Sequence, residues 1–247
     1  MHHGRMRLEN VTWDARDPTR LGRFWAEALG ATVELDEEDG LEARLVLGPD
    51  LFLDLCLQRA PEPSDAPQRL HLDLVGGARQ DEVVARLVEL GARPADIGQG
   101  EVPWVVLADP EGNPFCVMED RPAYRAGSGP VAALPLDSAD PVRDAVFWAA
   151  LTGWAPTPDD PQALRHPSGA GPLLELLPEP GPRTGKSRLH LDVRPGPDDE
   201  APLDLVRDLG GSVLPQPAPD LPWVVCADPS GNEVCVLGVG PGAHPAP

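Results

Sequence analysis

The residues best placed to do chemistry are two histidine–aspartate pairs with the same spacing. His71 and Asp73 lie in Arg69-Leu70-His71-Leu72-Asp73-Leu74. His190 and Asp192 lie in Arg188-Leu189-His190-Leu191-Asp192-Val193. An imidazole and a carboxylate on one strand face can hold a metal, with the acid orienting the ring, or can line a pocket wall through hydrogen bonds. The cysteines Cys56, Cys116, Cys226 and Cys235 each sit in an apolar run, and none belongs to a C-x-x-C pair. A closed zinc site is therefore not indicated, and buried reduced thiols are expected. Trp104 and Trp223 open matching apolar segments, where an indole could stack on a flat ligand or pack the core. The glycines spell out neither a phosphate loop nor a dinucleotide fingerprint, and no G-x-S-x-G elbow occurs.

These pairs need strands to carry them. Leu70, Leu72 and Leu74 alternate with His71 and Asp73, the period of a strand with one buried face. The motif is one of three matched blocks. Phe24-Trp25-Ala26 returns as Phe147-Trp148-Ala149, and Pro103-Trp104-Val105-Val106 returns as Pro222-Trp223-Val224-Val225, each followed by Asp-Pro-x-Gly-Asn. The chain is thus a duplication, with units over 6–120 and 129–238 and a linker over 121–130. Each unit reads as strand-helix-strand-strand-strand, twice over. Asp17-Pro18 and Asp140-Pro141 open the first helix of each unit, and Gly30 and Gly153 close it. Asp198-Asp199-Glu200 should open the last helix. Val84, Leu87, Val88 and Leu90 should face inward from the helix over 81–90. Pro135 should place its strand at an edge or a bulge. The Asp-Pro-x-Gly-Asn loops are accounted for by turn geometry. The tail after Gly238 should be frayed, and His2 and His3, either native or left from cloning, are set aside.

At 247 residues and 41% hydrophobic composition the chain can bury a sizeable core. No apolar run reaches the roughly 20 residues of a membrane span, and no signal peptide is visible, so a cytoplasmic location is expected. The net charge of −20 argues against nucleic acid as a partner. It would attract cationic ligands, and it also keeps a protein soluble.

Four βαβββ modules, the Phe-Trp helix, the His-x-Asp strand and the Asp-Pro-x-Gly-Asn hairpin together resemble the vicinal oxygen chelate superfamily. That group includes glyoxalase I, extradiol dioxygenases, and fosfomycin- and bleomycin-resistance proteins. The resemblance covers nearly the whole chain and is nearest to the glyoxalase-like branch. It implies an α+β protein of two tandem domains, each a cupped eight-stranded sheet with helices outside, packed as an intramolecular pseudo-dimer. The chain would be a monomer or a homodimer. The resemblance also implies metal-ligand positions on four strands of each domain. The first falls on Asn10 and Ala133. The second falls on Gln58 and Glu175, with Asp54 or Cys56 as alternatives to Gln58. The third falls on His71 and His190. The fourth, where the family's enzymes carry Glu, falls on Cys116 and Cys235.

That ligand set is incomplete, and no cofactor is expected. If a divalent metal binds, His190, Glu175 and Cys235 should hold it, so the second half is the one expected to keep a live site. The resemblance then implies a small-molecule binding protein of the sequestration type. Its ligand, cationic or aromatic, would sit among His71, His190, Gln58, Glu175, Cys116, Cys235, Trp104 and Trp223. The alternatives are a metal-dependent lyase, isomerase or dioxygenase, or a non-catalytic module with a vestigial pocket.

Overall fold

The computed structural model describes residues 6–242 except 61, 125–126 and 182; His2, His3 and the last five residues lie outside it. The first module is β1 (Arg7–Ala15), α1 (Pro18–Leu29), β2 (Thr32–Glu37), β3 (Gly40–Gly48) and β4 (Leu51–Arg59). The second is β5 (Asp73–Val75), α2 (Gln80–Leu90), β6 (Arg93–Pro94), β7 (Val105–Ala108) and β8 (Pro114–Met118). The third is β9 (Val131–Ser138), α3 (Pro141–Thr152), β10 (Ala155–Pro156), β11 (Ala163–Arg165) and β12 (Leu173–Pro178). The fourth is β13 (Leu189–Arg194), α4 (Pro202–Asp208), β14 (Ser212–Val213), β15 (Trp223–Ala227) and β16 (Glu233–Leu237).

Two eight-stranded sheets result, as expected, but their membership is exchanged. One runs β14-β15-β16-β13-β1-β4-β3-β2 and the other β10-β11-β12-β9-β5-β8-β7-β6. Each cup thus joins the first module of one half to the second module of the other, rather than two modules of one half. The halves are near-copies, so either partner satisfies the same hydrophobic alternation, and sequence periodicity is blind to the choice.

The helix caps form as read. Asp17 accepts the Arg20 N–H at 3.0 Å and Asp140 that of Arg143 at 3.1 Å. Gly30 and Gly153 take left-handed conformations, φ 70° and 74°, that favour glycine. α1 buries Trp25 between Trp13, 5.5 Å away, and Phe115, 5.0 Å away. The Asp-Pro-x-Gly-Asn loops do more than turn. Asp109 accepts the N–H groups of Glu111 and Asn113, the Asn113 amide, and the Trp25 indole at 3.2 Å. Asp228 repeats this with Ser230, Asn232 and Trp148. These buried acids lock each hairpin to the helix of its own half.

The paired arginines close the two halves on each other. Arg188 donates to the Asn113 amide oxygen at 2.8 Å, and Arg69 to that of Asn232 at 2.8 Å. Arg69 is buried and also meets the Gly181 and Asp137 carbonyls.

Three further expectations are corrected, and one holds in part. The Pro135 strand is not at an edge, since β9 lies between β12 and β5, but it is irregular as read, its register with β5 shifting between Asp73 and Leu74. Having no N–H, Pro135 cannot return the bond that the His71 N–H makes to its carbonyl. The His71 strand is accordingly cut to Asp73–Val75 plus a bridge at Leu70, whereas its counterpart β13 is continuous from Leu189. α4 starts at Pro202 behind an Ala201 cap, and Asp199 is spent instead on the Gly196 N–H. Val88 is exposed, although Leu87 is buried. The tail does not fray at once: Gly240 and Gly242 bond the carbonyls of Pro222 and Leu221.

Candidate functional site

In the first cup the helix-facing surface is apolar, and the concave face carries the polar set. Ladder partners share a face. Asn10 faces Asp192, Thr12 faces both His190 and Cys56, and Asp192 faces Cys235. Over these residues opens a cavity of about 380 Å³. Its floor includes Asn10, His190, Asp192 and Cys235; its walls include Glu42, Cys56, Gln58, Trp223, Val225 and Leu237.

The floor is unevenly satisfied. Asp192 Oδ2 accepts the Asn10 amide at 3.0 Å and the Thr12 hydroxyl at 2.9 Å. Asp192 Oδ1 is buried, 3.3 Å from His190 Nε2, and has no hydrogen-bond partner; neither has His190 Nδ1. His190 Nε2, Asp192 Oδ1 and Cys235 Sγ offer three donor atoms within 4.8 Å of one another. Burial, then the Asp192 charge, push the Cys235 thiol up. Burial likewise raises Cys56. Without an ion these thiols stay protonated and are poor nucleophiles.

The cations around this cavity are committed. Lys186 pairs with Asp14, Arg194 with Glu9 at 2.6 Å, and Arg183 with Glu233. Among the described residues, no arginine or lysine salt bridge neutralises Asp192 or Glu42. Glu42, at the mouth, has its pKa raised, first by partial burial and then by Asp54.

The second cup has the same plan and different contents. His71, Asp73 and Cys116 form the matching cluster, with His71 Nε2 3.3 Å from Asp73 Oδ1. Ala133 and Pro135 stand where the first cup has Asn10 and Thr12, so Asp73 lacks those two donors, and its Oδ1 is also without a partner. Tyr124, from the linker, is buried here with Cys116, Met118, Ala133, Ala163 and Leu173, and Trp104 packs against them. The Tyr124 hydroxyl donates to Glu175 at 3.2 Å. Burial, then Asp73, raise the Glu175 pKa.

The proposed trio His190, Glu175 and Cys235 is therefore not brought together. Glu175 belongs with His71 and Cys116, because the modules are exchanged, and Asp192 takes its place beside His190. Gln58 does line the first cavity, but it is not the counterpart of Glu175. Glu175 is opposite Pro135, and Cys56 is opposite Thr12, so the rung matches Glu175 to Cys56. Trp223 lines the cavity and Trp104 the other cup. Sequence reasoning missed Glu42 and Tyr124 altogether and gave Asp192 only a supporting role. Its spacing from His190, two residues along one face, was the available signal.

Two cupped sheets shared between duplicated halves, with His, Asp and Cys on each floor, define a tandem-domain protein of the vicinal oxygen chelate superfamily. The glyoxalase-like domain family model matches twice, over residues 10–118 and 133–237, and the chain belongs to that family. Its fold is similar to glyoxalase I from Zea mays, at 18% identity and TM-score 0.60 over 95% of this chain and 92% of that one. The V278E mutant of the maize protein aligns at 19% identity and TM-score 0.62, covering 95% and 93%. A Bacillus subtilis protein provisionally described as a dioxygenase aligns at 18% and 0.54, covering 97% and 87%. These likenesses establish the fold. A search of curated proteins finds no match. Among the described residues no helix is long and apolar enough to cross a membrane.

Proposed function

We propose that the chain binds a small cationic or aromatic molecule in the His190 cup. The observation that carries this reading is the cavity of about 380 Å³ whose acids Asp192 and Glu42 have no lysine or arginine pair, beside the Trp223 indole. A concave site with one aromatic wall and a few polar anchors is what a small ligand needs. Titrating matched cationic, neutral and anionic aromatic compounds, read by calorimetry, tests it. Cations should bind tightest, and Asp192→Asn should weaken them. Preference for the anions would reverse the reading.

The pH dependence has a definite sign. Glu42 binds a cation in its ionised form, and its pKa is raised by burial, Asp54 and Glu34 against the pull of Arg44. Affinity should be full above that raised value and fall as pH drops through it, starting above the ordinary carboxylate range. A Glu42→Gln variant should lose this part of the pH profile, and an unchanged profile would remove Glu42 from the site.

A second reading is favoured by the floor itself. A buried, unpartnered carboxylate oxygen beside an imidazole and a thiol fits a metal, and this mixed N, O and S set suits zinc better than a hard oxygen-seeking ion. A bound ion would polarise a substrate oxygen, giving the lyase, isomerase or dioxygenase classes a starting point. His190, Asp192 and Cys235 would hold it, and Cys235 would have to give up its proton. Cobalt(II) added to metal-stripped protein should produce a thiolate charge-transfer band that Cys235→Ser abolishes. A spectrum identical in both would leave the metal-free reading alone.

A further inference from the structure

The two cups are copies, yet one is filled by the chain itself. The filling comes from the segment after β8, where Pro122–Tyr124 forms a single 3-10 turn. Tyr124 sets its ring in the buried cluster and its hydroxyl on Glu175. Arg121 lies 5.4 Å from the Trp104 ring and 5.6 Å from the Tyr124 ring. The chain therefore places a phenol on a carboxylate and a cation on a tryptophan, side by side, inside this cup.

Among the described residues the other cup has no such filling, and the sequence differs there. Aligning Asp109 with Asp228 puts Gly240 where Arg121 stands and Ala243 where Tyr124 stands. A side chain at Gly240 would collide with the Leu221 carbonyl, so no equivalent of Arg121 fits there. The apolar surroundings of the plug are kept, although Glu119, the acid that Arg121 pairs with, is replaced by Gly238. Trp104, Val106, Cys116 and Met118 correspond to Trp223, Val225, Cys235 and Leu237, all of which line the cavity. The carboxylate is kept too, across one rung. Glu175 pairs with Ala163 in the filled cup, and Glu42 pairs with Cys56 in the open one.

We infer that the ligand of the His190 cup is a phenolic amine, with its hydroxyl on Glu42 and its cationic nitrogen over Trp223, and that Tyr124 and Arg121 are the built-in occupant of the matching second site. The inference rests on the small-molecule reading above and narrows it to a class. The phenol gives a hydrogen bond to a carboxylate, and the nitrogen gains from the indole face and from the acids of the cavity.

Tyramine is the probe, with phenethylamine, p-cresol and 4-hydroxyphenylacetate as comparisons. Tyramine should bind one site, and deleting either its hydroxyl or its amine should weaken binding roughly tenfold, the effect of one charge-assisted contact. Glu42→Gln should weaken tyramine more than phenethylamine and remove the difference between the two. Tyr124→Ala should raise the tyramine stoichiometry from one to two, and Tyr124→Phe, which keeps the ring in place, should leave it at one. Circular dichroism and thermal melting show whether each variant is folded, and the Glu42→Gln comparison stands without either Tyr124 variant. Equal binding of tyramine and phenethylamine, or tighter binding of 4-hydroxyphenylacetate, would overturn the inference and leave the small-molecule reading intact. If neither these compounds nor a broad set of cationic fragments perturbs Trp223 fluorescence, both fall.

Discussion

Asp228→Ala should destabilise the protein by about 3–5 kcal/mol, because it strips the partner from several buried donors at once and each orphaned donor costs about 1–3 kcal/mol. The donors are the N–H groups of Ser230 and Asn232, the Asn232 amide and the Trp148 indole. Asn232 would also lose its fixed orientation, and through it the Arg69 clasp loosens. In a chain of this size the loss corresponds to a melting temperature lower by on the order of 10 °C. Asp228→Asn should cost less. It keeps one acceptor oxygen and removes a buried charge whose pKa burial already pushes up. Thermal melts of the two variants beside Asp109→Ala check this. A loss under about 0.5 kcal/mol in both alanine variants, within the range of an ordinary surface change, would mean that the hairpins hold by backbone turns alone.

These acids also mark where sequence reading stops. The duplication, the four modules, the caps of α1 and α3 and the exposure of the histidine face to a cup were legible, since each follows from local periodicity or a capping residue. Asp109 and Asp228 were legible only as turn residues, because their indole partners lie about 80 residues away. The pairing of cups was illegible for a deeper reason. Arg69 and Arg188 are identical in type and setting, so nothing local says that each reaches across to the other half. Placing Glu175 beside His190 followed from assuming that neighbours in sequence share a sheet. Tyr124 was hidden by its company: a single aromatic in a Pro-, Gly- and Ala-rich stretch reads as linker, and only the packing shows it seated in a cup. The sequence left Gln58, Asp54 and Cys56 open as the counterpart of Glu175, and only the strand register selects Cys56.

Because the cups are exchanged, neither half should be able to stand alone as a monomer. The first half by itself would carry β1 and β5 as open edges, since in the whole chain they are covered by β13 and β9. An open edge over a buried face seeks a partner. A second copy supplies one, with β1 of one chain laid on β5 of the other and Arg69 reaching Asn113 in place of Asn232. Both junctions of that homodimer would place Asn10 and Thr12 against Asp73, repeating the donors that Asp192 receives in the intact protein. The second half is worse equipped. Its homodimer would set Ala133 and Pro135 against Asp192, leaving a buried carboxylate without donors and a ladder bond unmade at Pro135. Residues 6–124 expressed alone should therefore run as a dimer by light scattering, and residues 129–242 alone should be mostly insoluble. Mixing the two during refolding should restore a one-to-one complex that binds the same ligand as the intact chain. A first half that is monomeric and melts cooperatively would show that its two modules can close on each other, and the exchange of cups would then be a consequence of the linker rather than of the strand edges.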